Sequence, residues 1–435
     1  MINRTLKYST LAALGAWVLV LAAGGQAGAT TPQFEQAKIK APDAAQDDAL
    51  GRGVAIYGDY AVVGAPRDDA IDTDSGSVYF YKRSGSSWTR QSKESWGEYC
   101  SYFGETATIW GDWAIVGAPS MDGGAMSSGA AYLFKRTGDI WTKTQRLVDP
   151  SPSVNGYYGS AVSVHGDYAV VGGDYRSVHV YQRSGDTWNK AADLTPSTPT
   201  TDCFGHNVSI SDNYAIVGSW NNSAGLAYGT GAAYIFQRSG STWSQVGMLT
   251  ASDKQAGDNF GESVAITDQY AVIGAQKDDD KGTDSGSVYV FQRNGSNWVQ
   301  MAKLVASNGA TSDYFGKSVS ISGNNIVVGA YNKRTDTDGG VGAAYWFELV
   351  DGTWQEEGFL RPEHPVTGTG YADYTGWSVG VGGDFAIAGS MYDCEGSTCS
   401  GAAYIFGVPE PATLLMLGFG ALGVLSRRRA VQHPV

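Results

Sequence analysis

Charge is sparse in this chain of 435 residues: Asp, Glu, Lys and Arg together make up 17%. Between the two ends no segment repeats apolar residues at the three- and four-residue steps of an amphipathic helix, which argues against a helical bundle. Cysteine and histidine are also few, at four and five, and no Cys pair has a histidine at zinc spacing. There is no Gly-x-Ser-x-Gly elbow, His-Glu-x-x-His pair or phosphate loop. His165, His179, His206, His364 and His433 have no partner motif and read as structural. No pair of Asp residues is singled out for glycoside hydrolysis. The expectation is a protein without catalysis. Finally, no apolar run reaches the roughly 20 residues of a membrane-spanning helix.

What the chain does have is glycine (59 residues), aromatic rings (12%) and a repeat. An aromatic-Gly step opens one apolar run, and thirteen residues later a second glycine closes another, as Gly261 and Gly274 do in FGESVAITDQYAVIGA. The same interval separates Gly51 from Gly64, Gly104 from Gly117, Gly159 from Gly172, Gly205 from Gly218, Gly316 from Gly329 and Gly376 from Gly389. In six of the seven copies a Trp follows nine residues after the ring of a third run, as Trp298 follows Tyr289. Short turns such as Gly58-Asp59 and Gly111-Asp112 join the first two runs as a tight hairpin. A fourth run starts at the Trp and ends near a Leu.

Four antiparallel strands in about 54 residues make one propeller blade. The fold class expected is all-β: a seven-bladed β-propeller of four-stranded antiparallel blades over residues 30–407. Gln33 to Ile39 reads as a fourth strand with no first three before it, and the seventh copy stops after its third run at Phe406. The N-terminal strand should therefore complete the last blade and remove two exposed edges. A linear solenoid would leave those complementary defects unexplained. Small residues of the first run, such as Ser263 and Ala265, suit a crowded axis, and the recurrent rings suit blade cores more than a stacking surface.

The two ends are different in kind. Arg4 and Lys7, an apolar stretch from Leu11 to Ala23, and small residues ending at Ala27 and Ala29 form a secretory signal over residues 1–29. Residues 408–435 hold Pro409-Glu410-Pro411, fourteen apolar residues from Ala412 to Leu425, and Arg427 to Arg429. At ~1.5 Å per residue that run is short for a permanent span, so contact with the membrane is expected to be transient. Without these ends the balance is 25 basic against 42 acidic side chains, or −17. Nucleic acid and anionic membranes are thereby disfavoured as partners.

The FG step, the SVAI run and YAVVGAP at 60–66 resemble FG-GAP repeats, the blade units of integrin α-chain propellers and many bacterial surface proteins. The resemblance implies a seven-bladed propeller and an interaction role. Calcium-binding members carry an Asp-rich loop between the first and second strands. Only a short turn stands there in this chain, so that metal site is not carried over. Acidic residues cluster one loop later: Asp68, Asp69, Asp72 and Asp74; Asp278, Asp279, Asp280 and Asp284; Asp336 and Asp338. They are candidate ligands for Ca²⁺, which takes six to eight oxygens, and otherwise they are solvated loop charge.

The tail resembles a PEP-CTERM sorting signal, which implies an exosortase-type transpeptidase as partner and the cell surface or extracellular matrix of a Gram-negative bacterium as destination. Cys394 and Cys399, five residues apart in one loop, are the expected disulfide of an exported chain, whereas Cys100 with Cys203 depends on whether copies two and four adjoin. The function expected is a surface or matrix binding module for an unknown glycan or protein. The alternatives are a structural matrix protein without a ligand and a polysaccharide-active hydrolase or lyase.

Overall fold

The computed structural model describes residues 35–173, 178–197, 203–222, 228–334, 342–362, 373–395 and 398–407. Ala27 and Ala29, Asp336 and Asp338, and the motif Pro409 to Pro411 lie outside them. Every regular element among the described residues is a strand.

The strands form seven four-stranded antiparallel sheets and one two-stranded ribbon, Cys394–Glu395 with Thr398–Cys399. In blade 1, Val54–Tyr57, Tyr60–Ala65, Ser77–Ser84 and Ser87–Glu94 pair in chain order. Blades 2 to 6 repeat this from Ala107, Ala161, Asn207, Phe260 and Ser318. In blade 7 the order is Glu35–Ile39, Ala402–Gly407, Phe385–Ser390, Thr375–Gly382, with Ile39 opposite Ala403 and Lys38 opposite Tyr404. The N-terminal strand thus completes the last blade, as the paired defects in the repeat require.

The repeated residues fill each blade and hold neighbouring blades together. Phe103, Phe204, Phe260 and Phe315 are fully buried, each edge-on to a third-strand Tyr: Tyr132, Tyr234, Tyr289 and Tyr345. Trp141, Trp188, Trp243, Trp298 and Trp354 each meet edge-on the ring that opens the second strand of the preceding blade. The seam between the last and first blades has the same contact, Trp88 on Phe385. Small first-strand residues are clips as well as fillers. Thr106, Ser263 and Ser318 donate to the carbonyl of the next blade's FG glycine at 2.8–3.0 Å, and Ser378 does so to Gly51 across the seam. A disulfide joins Cys394 to Cys399. None joins Cys100 to Cys203, which belong to blades 2 and 4 with blade 3 between them.

Because successive strands run antiparallel, the FG steps, the loops from second to third strands and the connectors from fourth strands all gather at one edge of the ring. The seven first strands line a central channel of about 1310 Å³. The edge with the loops is called here the FG mouth, and the edge with the tight turns the far mouth.

Candidate functional site

Two sets of side chains converge at the FG mouth. The first contains the predicted acidic residues. Asp278 is buried, and its carboxylate accepts from Tyr289 Oη (2.8 Å) and Ser287 Oγ (2.9 Å). Lys303 Nζ lies 3.0 Å from Asp278, 2.7 Å from Asp253 and 2.6 Å from Asp280. Blade 1 repeats the design: Asp68 accepts from Tyr79 Oη at 2.9 Å, and Lys93 Nζ bridges Asp68 and Asp43 at 2.7 Å each. Blade 7 does so with Asp393, Tyr404 and Lys38. Burial pulls the Lys303 ammonium down, but the three carboxylates outweigh it and hold it above its ordinary value.

The other predicted residues among those described do not join these clusters. Asp69 accepts from the Asp74 amide and Asp279 from the Asp284 amide, both at 2.8 Å, and Asp72 accepts from the Thr73 amide. They shape their own loops. Asp253, Asp278 and Asp280 are the one group of three carboxylates among the described residues whose oxygens lie within 4.8 Å of one another. A calcium ion would need those oxygens for itself; here they face an ammonium of the protein.

Sequence reasoning missed the lysines and the acids of the connectors. The signal was present: Asp43, Asp48, Asp68 and Lys93 recur at equal separations as Asp253, Asp258, Asp278 and Lys303. Burial, with Asp278 and Asp279 close by, pushes the carboxyl of Asp258 up to about 6, against an amide bond from Gln255 that pulls it down. An acid raised in the folded state weakens the fold once ionised, so this loss of stability grows from about pH 4 to about pH 6 and is complete above that. By linkage the shift is worth roughly 3 kcal/mol, of which solvent screening leaves about 1–2 kcal/mol. Asp258→Asn, which keeps an acceptor for the Gln255 amide at 2.6 Å, should raise the melting temperature at about pH 7.5 and leave it unchanged near pH 4. Thermal melts at both pH values check this.

The second set is the residue one past each FG glycine: Arg52, Glu105, Ser160, His206, Glu262, Lys317 and Trp377, all lining the channel. Six of them form a belt. Arg52 bonds Glu105 at 2.6 Å, Lys317 bonds Glu262 at 2.7 Å, and His206 stands 3.9 Å from Glu262. The Trp377 ring lies beneath both Arg52 (4.4 Å) and Lys317 (4.9 Å). Burial pushes the Glu262 carboxyl up, yet Lys317 and His206 outweigh it and hold it down at about 2. Only Ser160 leaves a gap, and its Oγ has no hydrogen-bond partner among the described residues.

Beside the belt stand tyrosines in a conformation that bulky residues rarely adopt. The residue two before each FG glycine is left-handed in all seven blades, so that backbone belongs to the scaffold. The choice of Tyr at Tyr102, Tyr157, Tyr314 and Tyr374 (φ 48–57°) does not, since Ala49, Cys203 and Asn259 fill the same place elsewhere. Tyr314 stacks on Tyr331 at 5.2 Å, and Tyr331 meets Trp377 at 4.9 Å. The mouth can therefore offer paired charges for hydrogen bonding and ring faces for contact.

The FG-GAP repeat family matches residues 34–81, 97–134, 188–236, 243–291 and 298–347. Four of the matches start at or within a residue of the fourth strand of one blade and run to the third strand of the next, which is the unit that the N-terminal strand and blade 1 form across the seam. The PEP-CTERM protein-sorting motif matches residues 407–429. No curated protein matches the chain. With five matched units over more than half of its sequence, set in a ring of seven such blades, the chain belongs to the FG-GAP repeat family.

Proposed function

We propose that this protein is a binding module of the cell surface or extracellular matrix, cut and transferred by an exosortase-type enzyme, and that it takes its ligand at the FG mouth without catalysing a reaction. The sorting motif implies an exported protein of a Gram-negative bacterium, and the FG-GAP propeller suggests an interaction fold. The belt is the observation that carries the reading. Six side chains of five kinds occupy equivalent positions and touch across blade boundaries, although the blades need no particular residue there. Function carried by such variation on a rigid scaffold is the usual logic of loop-bearing faces. The acidic loops stand around this mouth as its rim, with Lys38, Lys93 and Lys303 as their internal cations.

Two measurements test the reading. Intact mass spectrometry of the exported protein should find a C-terminus without Arg427 to Arg429; a mature chain retaining them contradicts the sorting. Immobilised residues 30–407 should saturably retain a component of the producing cell's surface material. If nothing is retained, the propeller is a stable spacer.

A further inference from the structure

The far mouth carries a feature that neither the blade fold nor the FG mouth requires. The residue six past each FG glycine ends the first strand or directly follows it. In blades 4 to 7 it is Ser211, Thr267, Ser322 and Gly382; in blades 1, 2 and 3 it is Tyr57, Trp110 and His165. These three rings form a row across adjacent blades, with centroids 5.5 Å apart from Tyr57 to Trp110 and 4.8 Å from Trp110 to His165. All seven residues line the channel, so a wall of rings faces a wall of small side chains. Tyr57 is 38% exposed, whereas the recurrent rings of the third strands are buried.

We propose that this cleft binds an uncharged polysaccharide, with successive sugar units stacked on Tyr57, Trp110 and His165. A pyranose presents an apolar C–H face to a ring and hydroxyls at its edge, so rings opposite Ser and Thr hydroxyls match both. Ring-to-ring steps of this size suit consecutive sugars, and the channel behind them has room for the end of a chain. The channel wall at this end is uncharged. Asp212, whose Oδ1 lies 3.1 Å from His165 Nδ1, and Asp268, which accepts from Ser211 Oγ and Asn213, stand at the rim, Arg238 and Arg293 donate to their backbone carbonyls from the third strands outside it, and no Lys or Arg lines the channel itself at this end. A small organic cation would suit the acids but calls for rings closed around one point, and these form an open row. The site stands apart from the belt, so the reading of the FG mouth does not bear on it.

The test titrates the purified full chain with neutral β-1,4-linked gluco-, manno- and xylo-hexasaccharides, with alginate and with choline, reading heat and tryptophan fluorescence. At least one neutral probe should bind saturably. Trp110→Ser and Tyr57→Ser, which place the residue of blades 4 and 6 in blades 2 and 1, should each weaken it about tenfold with little change in melting. Val299→Ser, on an exposed outer strand away from both mouths, should leave it intact. Ser322→Trp, which fills the open wall and keeps the rings, should also block binding and covers the case in which a ring variant fails to fold. The proposal is overturned if no neutral probe binds, if alginate or choline binds in their place, or if binding survives both Trp110→Ser and Ser322→Trp.

Discussion

Replacing Gly389 by alanine should cost the protein about 3 kcal/mol or more and lower its melting temperature by several degrees. Gly389 closes the second strand of blade 7, and a Cβ there would overlap the carbonyl oxygen of Gly51, the FG glycine of blade 1. That oxygen accepts the Ser378 hydroxyl at 2.8 Å and lies at the seam where the ring closes. The obstacle is backbone on both sides, so no side chain can rotate away, and relief requires blades 7 and 1 to move apart. Trp88 on Phe385 and Arg52 on Trp377 would be disturbed with them. Gly247 provides the contrast. Its Cβ would meet nothing nearer than Ile235 Cβ at 3.9 Å, and Gly247→Ala should stay within about 0.5 kcal/mol of the parent. Chemical denaturation of both variants checks the difference. Equal stability would mean that the seam is open.

Lys303→Met should destabilise by about 3 kcal/mol at neutral pH, through charge rather than packing. Methionine replaces most of the apolar stem, but Asp278, whose side chain is 5% exposed, would lose its cation while Asp258 and Asp279 stay close. Tyr289 and Ser287 can still donate to it, which limits the loss without supplying a counter-charge. An uncompensated buried carboxylate takes up a proton more readily in the folded state than in the unfolded one. The deficit should therefore shrink as pH falls toward about 4, which thermal melts across pH would show. Removing Lys135 instead, whose partner Asp186 is largely exposed, should cost less than about 1 kcal/mol.

The scaffold was legible in the sequence because its requirements recur. Gly261 and Gly274, Phe260 and Trp298 do in blade 5 what their counterparts do in the others, and Ile39 announced its place by standing as far from Gly51 as Leu304 does from Gly316. The site was less legible for the same reason. Arg52, Glu262 and Trp377 share a position but no chemistry, and what joins them is the closing angle of the ring, which brings residues more than fifty apart into contact around the axis. Asp68 and Asp278 were singled out by their neighbours in the chain. Their partners Lys93 and Lys303 sit on the second strand after them, where a lysine with its stem along a sheet looks like ordinary surface. His179, which replaces a blade tyrosine, stands 3.4 Å from Asp149 and 2.5 Å from Asp193, so blade 3 keeps one basic side chain between two acids with a different residue.

If the belt at the FG mouth holds the ligand, retention of cell-surface material by immobilised residues 30–407 should differ between the parent and a variant carrying Glu262→Gln, Lys317→Met and Trp377→Ser, which removes the ion pair together and leaves no buried charge alone. The expected result is saturable retention by the parent and a loss of about tenfold in the variant, with the fold intact by melting. Retention equal in both, at equal stability, would contradict it.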